Sequence, residues 1–252
     1  MLELTFFTSV QQFLIIGGII FLSQFVYSAI GFGSGMIAIS LLTLLYGQID
    51  LFVPFFTLLC LPAEAWISIK DRHQINYQHT WIFLVFIIPA LFLGSLLLKQ
   101  ESNQRLLLLL GAVIVIFALY YLFFEDRIRF NLQHRGWLLF FGVLSGVLGG
   151  LFAIGGPPLI FYFKSIRLNK TEFRVALMSI FLAMTIARFV IYVGLGFYSV
   201  PMLWSMGLTL LFAVAGLIAG LRFHDLLPET LFKRLTSFVL FISGLLLFLK
   251  NF

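Results

Sequence analysis

The sequence predicts an all-α integral membrane protein, and three observations carry that prediction. Apolar residues make up 62% of the 252 and charged residues only 10%, against about half and about a quarter in a soluble domain. The apolar residues gather in runs near the length a helix needs to cross hydrocarbon, about 20 residues. The runs also recur in the same order on either side of a polar stretch at 125–136. With a mean hydropathy of +1.10, too little polar surface remains to coat a globule in water.

In order, the runs are 10–30, 36–46, 51–69, 80–98, 106–124, 137–153, 158–163, 175–197, 200–221 and 231–249. Eight are long enough to cross, or nearly so; 36–46 and 158–163 are too short, and each follows a long run across a glycine-rich break. Met1, Leu2 and Glu3 lack a basic leader region, and no small-residue cleavage site follows the first run, so that run is expected to stay as structure. Cys60 is the sole cysteine, which allows no internal disulfide and no thiolate cluster. The net charge of +6 sits in short loops, where Lys and Arg report membrane orientation; nucleic acid is not an expected partner.

The order of runs divides the chain into an N-terminal transmembrane repeat (1–125), a polar linker (126–136) and a C-terminal transmembrane repeat (137–252). Gly31-Phe32-Gly33-Ser34-Gly35 aligns with Ala153-Ile154-Gly155-Gly156-Pro157. Gly33 to Gly155 and Gly94 to Gly216 are both separated by 122 positions, which indicates an internal duplication. Duplication of this kind is the usual plan of secondary transporters.

Charge decides between two topologies. Four simple crossings per half would split the loop Lys and Arg nearly evenly. If instead the first long run of each half turns back at its break, Lys70, Arg72, Arg127, Arg129, Arg135, Lys164, Arg167, Lys170, Arg174, Arg222, Lys233 and Arg234 share one face. Only Lys99, Arg105 and Lys250 then lie opposite. The positive-inside rule favours this second arrangement. It gives each half a glycine-rich broken or re-entrant first helix followed by three transmembrane helices. An odd number of crossings per half makes the repeats inverted, with both termini outside the cytoplasm.

The breaks are the candidate substrate-binding segments: Gly31, Gly33, Ser34 and Gly35 in the first half, Gly155, Gly156, Pro157 and Pro158 in the second. Glycine permits positive φ and close backbone approach, and tandem proline removes two amide donors. Non-helical backbone at membrane depth is tolerated only where protein buries it or a wet cavity meets it. Helix N-termini formed there suit an anion. Close helix packing through small residues accounts for isolated Gly94 or Gly216 but poorly for Gly-Gly-Pro-Pro. The Gly31-x-Gly33-x-Gly35 pattern lacks the strand and acidic partner of a dinucleotide loop.

Arg188 lies inside run 175–197, where an ionisable group is expensive and is expected to meet a partner or a wet cavity. Its guanidinium fork suits sulfonate, sulfite or carboxylate oxygens, and it joins the candidate substrate-binding set. The competing role is an ion pair with Glu64. At 1.5 Å per residue, Glu64 lies about 9 Å and Arg188 about 21 Å from the cytoplasmic face, so a direct pair looks strained. Glu64, after Pro62, has two readings: a carboxylate snorkelling near the interface, or the group that proton coupling would need. His73, His79, His134 and His224 are scattered without metal-pair spacing, and no metal or cofactor is expected. Trp66, Trp81, Trp137 and Trp204 suit interfacial belts.

A channel would share the broken helices. An intramembrane enzyme would need a His-Glu-x-x-His, a Gly-x-Gly-Asp or a nucleophile with its base, none of which occurs; no Walker A segment occurs either. The order of features resembles the TauE/SafE sulfite exporter family of membrane transporters. The resemblance rests on the broken segment 31–35, Arg72-His73-Gln74-Ile75-Asn76, Gly155-Gly156-Pro157-Pro158, and Arg188 followed by Tyr192 and Gly194. It covers essentially the whole chain; the first segment departs from a tighter Gly-Gly-Gly form at Ser34, and the second carries Ala153 and Pro157 where the first has Gly31 and Gly35. The resemblance implies a multi-pass secondary carrier of a bacterial inner membrane for sulfite, sulfonates of the sulfoacetate kind or related organic anions. Its implied partners are lipid, the small anion and a coupling proton or sodium ion.

Overall fold

The computed structural model describes residues 4–70, 72–74, 77–123, 135–165, 170–223 and 229–252. Asp71, Ile75, Asn76, Arg127, Arg129, His134, Arg167 and His224 lie outside the described residues, as does nearly all of the linker 126–136. So do the side chains of Gln74, His79, Trp81, Arg135, Lys170, Lys233 and Arg234. Among the described residues the chain is helical throughout, with no strand. The helices are α1 (Val10–Ile30), α2 (Ser34–Tyr46), α3 (Ile49–Thr57), α4 (Leu61–Lys70), α5 (Tyr77–Gln100) and α6 (Asn103–Phe123). They continue as α7 (Arg135–Phe152), α8 (Gly156–Ser165), α9 (Lys170–Gly194), α10 (Val200–Phe223) and α11 (Glu229–Asn251). Among the described residues six segments are long and apolar enough to cross a membrane: α1, the joined α3–α4 segment Ile49–Lys70, α5, α6, α9 and α10.

The apolar run 51–69 is not one helix. A 3₁₀ turn at Leu58–Cys60 separates α3 from α4, and the Leu61 amide bonds back to the Leu58 carbonyl. Pro62 gives the reason: it has no N–H for that carbonyl, and its ring crowds the turn before it. The α1–α2 break is made by two left-handed glycines, Gly31 (φ 100°) and Gly33 (φ 92°). The Gly31 amide closes α1 on the Tyr27 carbonyl at 2.7 Å. At the matching position of the second half, Ala153 takes φ 57°, the one non-glycine with positive φ among the described residues.

Paired helices cross where glycine lets backbones touch. A Cβ on Gly94 of α5 would overlap the Val147 carbonyl of α7, and one on Gly216 of α10 would overlap the Phe21 carbonyl of α1. The two glycines that share the 122-residue offset therefore do the same work in two different contacts. Gly142, Gly146 and Gly150 of α7 meet Phe83, Ile87 and Leu91 of α5 in succession, so these helices run parallel. Gly216 and Gly220 meet Phe21 and Phe25 in the same sense along α10 and α1. Packing of α6 on α11 forms the third main contact, through Gly111 and Gly244.

One end of the bundle is tied by side chains that close helix termini. Asn103 donates to the Gly47 carbonyl after α2 and accepts from the Ile49 amide. Lys250 donates to the Leu44 carbonyl, Lys99 to the Leu195 carbonyl, and the Phe6 amide to the Ser205 hydroxyl. The start of α1 and the end of α2 thus meet at this end, beside the end of α11.

Two stability measurements follow. Gly94→Ala is expected to lower the thermal midpoint, because overpacking costs about 1–3 kcal/mol, whereas Gly18→Ala, with nothing within 4 Å of its Cβ position, changes little. Ala153→Gly should raise the midpoint by relieving a left-handed cost of about 1 kcal/mol. Ala153→Val should lower it, since a β-branched residue fits that region worst. Equal midpoints for the Ala153 pair would remove the strain argument.

Candidate functional site

The two breaks meet. A Cβ on Gly35, in the first turn of α2, would overlap the carbonyl oxygen of Ala153, so only glycine lets α2 approach the α7–α8 break this closely. Around this junction lies a cavity of about 40 Å³. Gly33, Ser34 and Gly35 line it from one side and Gly155, Gly156 and Pro157 from the other. Glu64 from α4 and Arg188 from α9 complete it, so eight of the ten residues that the sequence singled out come together. Gly31 and Pro158 do not line it. Gly31 is the left-handed closing residue of α1, and its Cβ position faces the Arg174 methylenes. Pro158 lies one residue deeper in α8, buried and without an N–H to offer.

An interrupted helix exposes amides at one end and carbonyls at the other, and here the two are treated differently. At the C-terminus of α7, Arg188 Nη1 donates to the Gly149 carbonyl at 3.0 Å, and the Tyr192 hydroxyl donates to the Gly150 carbonyl at 2.7 Å. Ser145 donates to the Gly155 carbonyl at 2.6 Å. At the C-terminus of α1, Arg174 donates to the Ser28 carbonyl. α9 thus bonds carbonyls at both interruptions. The N-terminus of α2 receives no side-chain cap. Its cap residue, Gly33, has no side chain to accept a bond, and Ile37 is the first amide to bond within the helix, to Gly33 at 3.1 Å. Ser34, Gly35 and Met36 thus lack intrahelical acceptors and line the cavity. The start of α8 offers less, because Pro157 and Pro158 carry no N–H.

Glu64 is 3% exposed and Arg188 5%. The interfacial, snorkelling position expected as one reading of Glu64 is thereby corrected: α4 packs against α9 and α1, and their Thr185 and Tyr27 meet the carboxyl at the cavity. The pair is not joined directly. Glu64 Oε1 accepts from the Tyr27 hydroxyl at 3.0 Å and from the Thr185 hydroxyl at 3.2 Å, while Arg188 Nη2 donates to Thr185 at 3.3 Å. Thr185, one turn before Arg188, bridges the two side chains with its hydroxyl. Glu64 Oε2 and Arg188 Nε are both buried with no hydrogen-bond partner, and such orphans are expensive unless something else meets them.

Sequence reasoning missed Tyr27, Cys60 and Thr185, all of which line the cavity. Spacing carried a signal for two of them. Thr185 precedes Arg188 by three positions and Cys60 precedes Glu64 by four, the intervals that share a helix face. Arg174 was counted with the loop charges, although it closes α1.

These features define a polytopic, all-helical membrane protein in which two interrupted helices meet at a cavity lined by buried Glu64 and Arg188. The sulfite exporter TauE/SafE family model matches residues 16–247, and the chain belongs to that family. It is a family of membrane exporters, not enzymes, and the chain is accordingly a multi-pass protein of a bacterial cell membrane. One curated relative, the "Probable sulfite/organosulfonate exporter TauE" of Cupriavidus necator, is 26% identical over 161 residues. Those residues are 63% of this chain and 63% of the relative. No solved structure matches the chain.

Replacing Thr185 tests how the cavity is held together. Thr185→Val keeps the shape and deletes the hydroxyl between two buried charged groups, at an expected cost of about 1–3 kcal/mol. Thr185→Ser should retain most of the stability. Indistinguishable thermal midpoints for Val and Thr would mean that the bridge carries no weight.

Proposed function

We propose that the chain is a secondary transporter that moves small sulfur-containing anions (sulfite, sulfonates such as sulfoacetate, or related organic anions) by alternating access. One observation carries the reading: uncapped α2 amides and an unpartnered Arg188 Nε converge on a single buried cavity. Donors without acceptors, a helix N-terminal dipole and a guanidinium are together what an oxyanion requires. At about 40 Å³ the space suits a few heavy atoms at most, since one water needs about 10–15 Å³ of such volume. Sulfite or a sulfonate head group therefore fits better than a bulky solute. Names borne by relatives point to the same chemistry.

In this reading residues 1–125 and 137–252 are inverted repeats joined by 126–136, and each opens with a hairpin that re-enters the side it came from. The Gly94 and Gly216 contacts support it, as do the matched left-handed residues Gly31 and Ala153 and the common end shared by the start of α1 and the end of α2. Gly33, Ser34 and Gly35 supply backbone donors. Gly155, Gly156 and Pro157 shape the opposite wall, Arg188 supplies charge, and Gly31 and Pro158 set the breaks. A proton or sodium ion couples to transport, and Glu64 is the site where a proton would act. The halves rock about the junction and expose it alternately.

Counterflow into proteoliposomes with sulfite, sulfoacetate, taurine, sulfate and carboxylates tests the reading. A sulfite or sulfonate should be the best substrate. Arg188→Ala should weaken its apparent affinity about 10–100-fold, the equivalent of one charged hydrogen bond of about 1.5–3 kcal/mol. Arg188→Lys should recover only part, because an ammonium lacks the fork. If Arg188→Ala transports the best substrate with wild-type rate and affinity, the assignment of Arg188 fails.

A further inference from the structure

We infer that Glu64 takes part in transport as the protonated acid, donating from Oε2 to the bound anion, so that one proton moves with each anion in the same direction. This rests on the anion-carrier reading and names its coupling ion, the atom that holds it and the reason for it.

The geometry assigns different work to the two oxygens of Glu64. Oε1 is occupied, accepting from both Tyr27 and Thr185. Oε2 is buried without a partner and belongs to a residue that lines the same small cavity as Arg188, Ser34 and Gly35. An anion held by Arg188 and the α2 amides would occupy the cavity that Glu64 also lines. A bare carboxylate oxygen there would set two negative charges together out of water. A protonated Oε2 instead gains the acceptor that the protein withholds, and the anion gains a donor.

The neighbours leave Glu64 alone in that role. Tyr27 faces it from α1, Cys60 from the turn before α4, and Arg188 from α9 through Thr185. From α2 comes only the Ser34 hydroxyl, and the titratable group of α10, Arg222, is exposed in that helix's last turn. Among the described residues Arg188 is thus the one cation lining the cavity. Empty, the site pairs Arg188 with ionised Glu64 through Thr185 and carries no net charge. Loaded with a monovalent anion, Arg188 is balanced by the anion, Glu64 is neutral, and the net charge is again zero. Both states that must cross the membrane are then free of uncompensated charge, which hydrocarbon surroundings penalise. The proton joins Oε2 on the side where the anion loads and leaves on the side where it is released.

The probe is methanesulfonate, whose charge does not change over the working pH range, so any proton moved is the protein's. Wild-type proteoliposomes with an internal pH dye and a potassium diffusion potential should show one proton per anion, co-directional, at a rate independent of the potential. Binding should tighten up to tenfold per unit fall in pH while free Glu64 is ionised, since loading takes up a proton. Glu64→Gln places an amide donor at the Oε2 position. It should bind with pH-independent affinity and still exchange anion for anion, but lose accumulation driven by a proton gradient. Anion transport with no proton movement, with a sodium gradient as the driving force, or with one negative charge per anion would overturn the inference and leave the carrier reading intact. Proton-driven accumulation by Glu64→Gln would also overturn it. A wild-type protein that moves no anion at all would instead refute the carrier reading itself.

Discussion

A helix interrupted inside a bilayer leaves main-chain donors and acceptors that no water can reach, and the rest of this structure follows from how those groups are disposed of. The chain is interrupted at 31–33 and again at 153–155. Both interruptions bring carbonyls to the end of one helix and amides to the start of the next. α9 bonds three of the carbonyls, with Arg174 on Ser28 and Arg188 with Tyr192 on Gly149 and Gly150. Its two arginines are 14 positions apart, about 21 Å at 1.5 Å per residue, so one straight helix braces both broken ones. The amides of α2 receive no such partner. That imbalance gives the cavity its positive character before any formal charge is considered.

Bringing two interruptions together demands backbone contact, which explains where glycine is indispensable. Gly35 must clear the Ala153 carbonyl, and Gly94 and Gly216 must clear carbonyls of α7 and α1. Side chains at these three places would hold the broken helices apart and let lipid or water between them. In lipid there is little hydrophobic drive to push helices together, so close van der Waals packing is the main source of association. The same small residues therefore hold the bundle together and let the two breaks meet at the cavity.

The broad plan was legible because hydrocarbon imposes lengths and penalises exceptions. Run 10–30 coincides with α1, the breaks fall at the glycines, and Arg188 stands out because charge is costly there. What escaped were features that depend on the path of the chain in three dimensions. Position near the end of an apolar run suggested an interfacial Glu64, because its burial comes from neighbouring helices that the run itself does not display. Tyr27 and Thr185 look like ordinary polar residues in apolar helices until Glu64 is seen between them. Arg174, four positions into α9, was assigned to a loop because its partner is a backbone carbonyl, which leaves no trace in the pattern of side chains.

The two interruptions are alike in backbone and unlike in chemistry. Gly31 and Ala153 both adopt left-handed φ, 100° and 57°, although only the first is a residue that does so freely. One turn on, Gly35 keeps an N–H where Pro157 has none. The first interruption consequently provides hydrogen-bond donors, while the second provides a rigid wall and, through Gly149, the carbonyl that fixes Arg188. Had both begun with free amides, two positive helix ends would face one small cavity beside a guanidinium, with Glu64 as the only compensation. Proline in the second half removes that excess, and it leaves a site whose charge can be balanced by one anion or by one carboxylate.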